Sequence, residues 1–417
     1  MRNIYLIDLM CGVSTALDYV SPHVTGHHRR VAMASAAIGN HLGIKPSSLM
    51  DMLLAALLHD IGAFSLDVVL DGLDFDADLT EHAVAGHRLL RAHSFLERAS
   101  RMVLYHHTQW KDLRVIRQEG DAETLLMANI INLADRVDIL RRGKGYERDR
   151  DEVREIISRL PDSQYVPEAV QAFLELTRSG LFWELMEGMD GSIRHILGRE
   201  LLDQHITMSE LLGFSDFFAH IIDFRSRHTA THSLGVAETA VQLAGLAGMN
   251  SREQEYMRLA GNLHDIGKLA VPVALLDKPD KLDAAEYAVI QDHARVCEVV
   301  LKSISGLEEI ADWACQHHER LNGKGYPHGL TAAELSLGSR IMQVADVFTA
   351  ITEDRPYRKG MDRGKTIGVL RSMADKGFLD RDIVSLAIDN HEQIDAVRHI
   401  VQSRALAEFR RFTSVGH

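Results

Sequence analysis

Two adjacent residue pairs, His59 with Asp60 and His264 with Asp265, sit in the near-identical strings LLHDIG and NLHDIG. Each is accompanied at long spacing by more of the same chemistry: His232, His293, His317, His318 and Asp346 in the second half, and His27, His82, His106, His107 and Asp135 in the first. Imidazole and carboxylate without thiolate suit Fe, Mn, Zn or Ni, and ligand type alone does not choose among them. Seven such side chains are more than one ion needs, which implies a binuclear centre with one carboxylate bridging ions about 3.5–4 Å apart. Two ions in that arrangement activate water near neutral pH and hold a phosphoryl oxygen, so the reaction class is phosphoester hydrolysis.

A single histidine on an apolar face is more often a satisfied core residue than a ligand; the register reverses that reading here. His23, His27, His59 and Asp60 precede His228, His232, His264 and Asp265 by 205 residues, and His82, His106, His107 and Asp135 precede His293, His317, His318 and Asp346 by 211. The chain is therefore an internal duplication, with a first domain over 1–205 and a second over 206–417. Apolar or small residues at Val31, Ala34, Ile38 and Leu42, and again at Val236, Ala240, Leu243 and Leu246, recur close to every 3.6 residues. Ser251 with Gln254, Asp283 with Glu286 and Thr331 with Glu334 read as helix N-terminal capping patterns. The expected fold is all-α, two tandem helical bundles whose separate helices must bring the ligands together.

The second half resembles the HD-GYP family, a branch of the HD phosphohydrolase superfamily, through HDIGK at 264–268, His293, HHERLNGKGYP at 317–327, RIMQVADVF and EDRPYRKG. The resemblance implies HD-type helical bundles and metal-dependent hydrolysis of cyclic di-GMP to linear pGpG and, in some members, to GMP. Carried over, His232, His264, Asp265 and Asp346 hold one divalent ion and Asp265, His293, His317 and His318 the other, with Fe or Mn ahead of Ni, Zn or Mg. Asp265 bridges, and Lys268 contacts the scissile phosphate. Gly323, Gly325, Tyr326 and Pro327 shape a substrate loop in which the tyrosine offers a stacking face for a base. Arg355, Tyr357 and Arg358 are candidate phosphate contacts, arginine offering a bidentate fork. A preference for 3',3'-cyclic GMP-AMP is an alternative, and so is a nucleotide-sensing or partner-docking module with little turnover.

Asn322 and Thr349 stand where the family usually has aspartates. Members with three metals use a glutamate four residues before the first ligand histidine; His228 stands there, a candidate third-metal ligand beside an expected two-ion site. The first half keeps all seven ligand positions but has Ala63 for the lysine and HHTQWKDLRVIRQEG for the GYP stretch. It is read as a degenerate HD domain that binds metal through His27, His59, Asp60, His82, His106, His107 and Asp135, does not hydrolyse cyclic dinucleotides, and supports or regulates the second half. His28, His41, His87 and His93 have no counterparts and read as surface or core residues. Trp110, Trp183 and Trp313 read as core.

The 417-residue chain has 46 basic and 59 acidic side chains, a formal charge of −13, which disfavours long nucleic acid but not a small substrate held by metals and one lysine. Cys11, Cys297 and Cys315 show neither close pairing nor CxxC spacing, against a disulfide framework or thiolate zinc site. Without a signal-like N-terminus or a membrane-length apolar run, the expected setting is cytoplasmic. A homodimer is left open.

Overall fold

A computed structural model of the protein describes residues 4–19, 25–65, 80–116, 121–142, 148–187, 204–224, 231–278, 280–354 and 359–414. These divide into two compact units, Asn3–Ile206 and Thr207–His417. Both are helical; among the described residues β pairing is limited to isolated bridges such as Tyr5 with His205. No described helix is long and apolar enough to cross a membrane.

The N-terminal lobe contains α1 (Leu6–Asp18), α2 (His27–His41), α3 (Pro46–Leu57), α4 (Thr80–Leu90), α5 (Glu97–Tyr105), α6 (Trp110–Ile116), α7 (Ala122–Arg142), α8 (Arg150–Ser158), α9 (Pro167–Leu176) and α10 (Leu181–Glu187). The C-terminal lobe contains α11 (Met208–Phe224), α12 (His232–Leu246), α13 (Ser251–Leu263), α14 (Val273–Leu276), α15 (Ala284–Lys302), α16 (Glu308–Cys315), α17 (Leu337–Thr352), α18 (Arg363–Asp375), α19 (Arg381–Asp389) and α20 (His391–Ser414). In the first lobe α2 packs between α3 and α7; in the second α12 packs against α13, α17 and α20. Most of the apolar stripe expected after each first ligand histidine faces these neighbours, with Val31, Ala34 and Ile38, and Val236, Ala240 and Leu243, all fully buried or nearly so, whereas Leu42 at the end of α2 is only half-buried and Leu246 at the end of α12 is exposed.

The helix starts differ in part from expectation. Asp283 and Glu286 form the expected capping box on α15, but on α13 the box is Asn250 with Glu253, one residue before the expected pair. The Asn250 side chain takes the backbone N–H of Glu253 (3.1 Å), and Glu253 returns to the Asn250 N–H (2.7 Å). Both frames carry suitable residues, and an amide reaching two free N–H groups wins. Thr331 donates backbone and hydroxyl to Glu334, yet closes only a turn; the next helix, α17, begins at Leu337 with Ser336 as its cap. Trp110, Trp183 and Trp313 are buried, as expected.

Glycine is forced at one repeated position. A Cβ on Gly62 would lie 2.0 Å from the carbonyl oxygen of His82, and one on Gly267 would lie 1.8 Å from that of His293. The turn after each His-Asp pair thus runs backbone against backbone with the helix bearing the next ligand. Gly267→Ala should lower the unfolding transition of the C-terminal lobe by the equivalent of about 1–3 kcal/mol or more, since the backbones must separate. Calorimetry of the full chain, with Gly62→Ala as the N-terminal counterpart, checks this; a transition unmoved by Gly267→Ala would show that the close approach is not required.

Candidate metal centres

His59 follows the last turn of α3 and His264 caps α13, so each delivers an imidazole and the next residue's carboxylate at a buried helix end. In the C-terminal lobe Asp265 Oδ2 lies 3.2 Å from His264 Nε2, while Oδ1 lies 3.5 Å from His293 Nε2 and 4.0 Å from His317 Nε2. His232 Nε2 is 3.2 Å from Asp346 Oδ1. Asp60 repeats the pattern: Oδ2 is 3.1 Å from His59 Nε2, and Oδ1 is 3.3 Å from His82 Nε2 and 3.8 Å from His106 Nε2. Metal-capable groups form around His232, His264 and Asp346, around His293, His317 and His318, and likewise around Asp60, His82, His106 and His107 and around His27, His59 and Asp135. The structure brings together all seven expected ligands in each lobe. His23, His228, Arg355, Tyr357 and Arg358 lie outside the described residues.

The ring orientations are set from behind. His59, His106, His264, His293 and His317 each place Nδ1 2.6–2.8 Å from the carbonyl oxygen three residues earlier, which fixes the Nδ1–H form and turns Nε2 inward. Burial pushes His318 down to about 3 and lowers His293, and burial with neighbouring imidazoles puts His107 and His317 well below the usual range. Neutral imidazole is the form that binds metal. Burial opposes the charge on Asp60 and Asp265, but His59 in one lobe, and His264 with Lys268 in the other, hold these carboxyls well below the ordinary range. His264 Nε2, Asp265 Oδ1, Asp60 Oδ2 and Asp135 Oδ1 are buried without a hydrogen bond. Buried polar atoms are normally satisfied, so inward-facing donor atoms of this kind fit divalent ions.

One pair of positioning residues escaped the sequence reading. Behind His27, Asp138 Oδ2 takes Nδ1 at 2.8 Å and is itself held by Arg30 through Nε (2.6 Å) and Nη2 (2.9 Å). Asp138 lies three residues after Asp135; three after Asp346 stands Thr349, which bonds Thr239 instead. There Glu353, seven residues after Asp346 and capping the C-terminal end of α17 in an extended conformation, takes His232 Nδ1 at 3.2 Å. Gly235, where the first lobe has Arg30, leaves room for Gln402: a Cβ there would lie 2.5 Å from Gln402 Nε2, which donates to Glu353 at 3.3 Å. Burial works against charge on these histidines, but Glu353 and Asp346 push His232 up to about 10, and Asp135 with Asp138 push His27 to about 10.

Among the described residues, only the C-terminal lobe adds a cation and a shaped rim. Lys268 Nζ donates to Asp265 Oδ2 at 2.6 Å, and the surrounding carboxylates Asp265, Asp346 and Asp223 outweigh burial and raise its pKa. Tyr326 donates its N–H to the His318 carbonyl (3.2 Å) and sets its ring 4.7 Å from the His318 ring. Gly325 is required there, since a Cβ would meet Glu319 Cα and Arg320 N at 2.4 Å. The buried Glu319 carboxylate, unremarked within the HHE string, gathers the N–H groups of His328, Gly329 and Leu330 and so folds the loop. In the N-terminal lobe helix α6, anchored by buried Trp110, follows the histidine pair instead.

Two further contacts involve residues to which the sequence assigns no role. Cys297 and Cys315, 18 residues apart, are buried with sulfurs 2.7 Å apart, a proximity their spacing hides because they come from α15 and α16. His41 is exposed and paired with Glu175, whereas His28 is fully buried inside the N-terminal cluster.

Two tandem helical lobes, each with a His/Asp cluster at a buried helix end, define a phosphohydrolase architecture of the HD type. Residues 24–140 and 216–383 each match the HD domain. The chain is 31% identical over 403 residues to the 3'3'-cGAMP-specific phosphodiesterase 1 of Vibrio cholerae, covering 94% of this chain and 93% of that one. It is 38% identical over 160 residues to the cyclic di-GMP phosphodiesterase PA4108 of Pseudomonas aeruginosa, covering 37% of each. The fold matches a solved cyclic GMP-AMP phosphodiesterase of V. cholerae, V-cGAP3, with a TM-score of 0.64 and 22% identity over 97% of this chain and 98% of that one. The chain belongs to the HD-GYP family of metal-dependent phosphohydrolases, with an N-terminal HD domain that lacks the GYP stretch.

Glu353→Gln should weaken metal retention by roughly 10–100-fold, the usual cost of losing the partner behind a ligand histidine, and adding Thr349→Asp should restore part of it by recreating the arrangement of the first lobe. Chelator competition on the full chain reads both; unchanged retention in Glu353→Gln would remove Glu353 from this role.

Proposed function

We propose that the C-terminal lobe hydrolyses a phosphodiester of a cyclic dinucleotide to the linear dinucleotide, with 3',3'-cyclic GMP-AMP as the first substrate. The observation that carries this is the convergence of Lys268 and the Tyr326 loop on the Asp265 cluster, which the first lobe does not repeat. Two divalent ions, iron or manganese, would be held by His232, His264, Asp265 and Asp346 and by Asp265, His293, His317 and His318, and would supply Lewis acidity toward the attacking water and the phosphoryl oxygens. Lys268 then holds positive charge beside the phosphoryl group, where negative charge develops as the bond to the leaving oxygen breaks. Tyr326 presents an aromatic face for a base, and Glu319 keeps its loop in place. Arg355, Tyr357 and Arg358 remain candidate phosphate contacts.

The choice of substrate rests on which relatives share both lobes. The V. cholerae phosphodiesterases 1 and 3, similar over 94% and 88% of this chain, are both named 3'3'-cGAMP-specific. Cyclic di-GMP is the second reading, favoured by the higher identity to PA4108 within its shorter matched stretch. A module that only senses nucleotide has no use for a lysine aimed at the bridging carboxylate. The cysteines and the absence of a spanning helix among the described residues suit a cytoplasmic enzyme.

Incubating the Mn- or Fe-loaded protein with each cyclic dinucleotide and separating the products should yield a linear dinucleotide, faster from cyclic GMP-AMP. Asp265→Ala should abolish turnover, and Lys268→Ala should lower kcat by about 100-fold while leaving metal content intact. No linear product from either substrate would overturn the proposal, and faster cleavage of cyclic di-GMP would reverse the order of substrates.

A further inference from the structure

His28 has no counterpart in the second half, where Ser233 occupies its place 205 residues on. Both residues meet the equivalent aspartate at the end of the first helix of their lobe. Ser233 gives its backbone N–H (2.9 Å) and hydroxyl (2.8 Å) to Asp223, and the small side chain ends there. His28 gives Nδ1 to Asp18 Oδ1 at 3.0 Å, and its ring continues past that contact into the cluster. Its Nε2 lies 3.7 Å from Asp60 Oδ2, in a residue with no solvent exposure, and makes no hydrogen bond. The ligand atoms of His28, His59 and Asp60 all lie within 4.8 Å of one another.

The oxygen that His28 faces is the one that Lys268 faces in the other lobe. Asp265 Oδ2 receives Lys268 Nζ, whereas Ala63 in the equivalent position has nothing to offer Asp60 Oδ2. The first lobe has therefore exchanged a substrate-binding ammonium for an imidazole with a free lone pair. An Nδ1–H held by a carboxylate leaves Nε2 as an acceptor, the arrangement that orients metal-bound histidines, and His27 uses Asp138 in the same way. Around Asp60 Oδ2 the inward-facing groups become His27, His28, His59 and Asp135.

We propose that His28 is an additional metal ligand particular to the N-terminal lobe, which closes that centre and makes it a structural metal site instead of a hydrolytic one. Structural sites fill their coordination with protein groups, while catalytic sites keep a position for water or substrate. The inference extends the proposed function and does not depend on it, because turnover by the intact chain tests the second lobe and metal affinity tests the first.

The test uses the full chain carrying Asp265→Ala and Asp346→Ala, so that bound metal belongs to the N-terminal lobe, with Co2+ as the probe. This chain should bind Co2+, and adding His28→Ser should raise the dissociation constant by about tenfold or more and change the visible absorption of the cobalt, which reports ligand number and type. His28→Gln, which keeps a donor for Asp18 but lacks the imidazole, should behave like His28→Ser while retaining the helical circular dichroism, and it carries the test if the serine variant does not fold. An unchanged constant and spectrum in a folded His28 variant would make His28 a packing partner of Asp18 and overturn the proposal. Failure of the parent double variant to bind Co2+ would overturn it as well, leaving hydrolysis by the wild-type chain to be judged on its own products.

Discussion

A carboxylate buried at the end of a helix and faced on both oxygens by imidazoles is the constraint around which each lobe is organised. Taking such a charge out of water costs several kcal/mol unless partners surround it. Asp265 finds them in His264 on its own chain segment, His293 on α15 and His317 after α16; Asp60 finds His59, His82 and His106 in the same way. The helices must therefore converge on one point, and the glycines after each His-Asp pair let the backbone of the next ligand helix come within contact of the turn. Core packing supplies the stability, but this convergence decides which helices touch and at what depth.

From that shared frame the lobes diverge by paired exchanges. Behind the first ligand histidine, Asp138 clamped by Arg30 becomes Glu353 held by Gln402, and Gly235 makes the space. A shorter acid three residues on, within α7, and a longer acid seven residues on, at the C-cap of α17, reach the equivalent nitrogen of their own lobes. Beside the central carboxylate of each cluster, His28 with Ala63 becomes Ser233 with Lys268. Each exchange preserves the local hydrogen-bonding requirement while changing what the site presents: imidazole in one lobe, a cation and a shaped loop in the other.

Much of this was legible in the amino-acid order. The offsets of 205 and 211 identify the duplication, the seven His and Asp residues that cluster in each lobe follow from it, and the 3.6-residue stripes place α2 and α12 in their cores. These features are legible because ligand chemistry restricts residue type and helical packing restricts spacing, both of which are written along the chain. Glu353 was not legible, because the family's usual acid stands three residues after Asp346 and its replacement stands four residues farther, past the end of the helix. Glu319 was hidden for a different reason: its partners are backbone N–H groups, which carry no residue signature.

His28 marks the boundary between the two kinds of information. Its residue type and its lack of a counterpart are properties of the sequence, and from these it reads as an incidental surface or core histidine. Only the fold shows that its ring, anchored at Nδ1 by Asp18, turns Nε2 toward Asp60. The order of residues determined which groups are available and how often they recur, because periodicity and ligand chemistry are local and repetitive. Tertiary structure decided which nitrogen faces which oxygen, because that depends on the approach of helices remote in sequence and on side chains, such as Gln402 and Asp18, whose partners no spacing rule encodes.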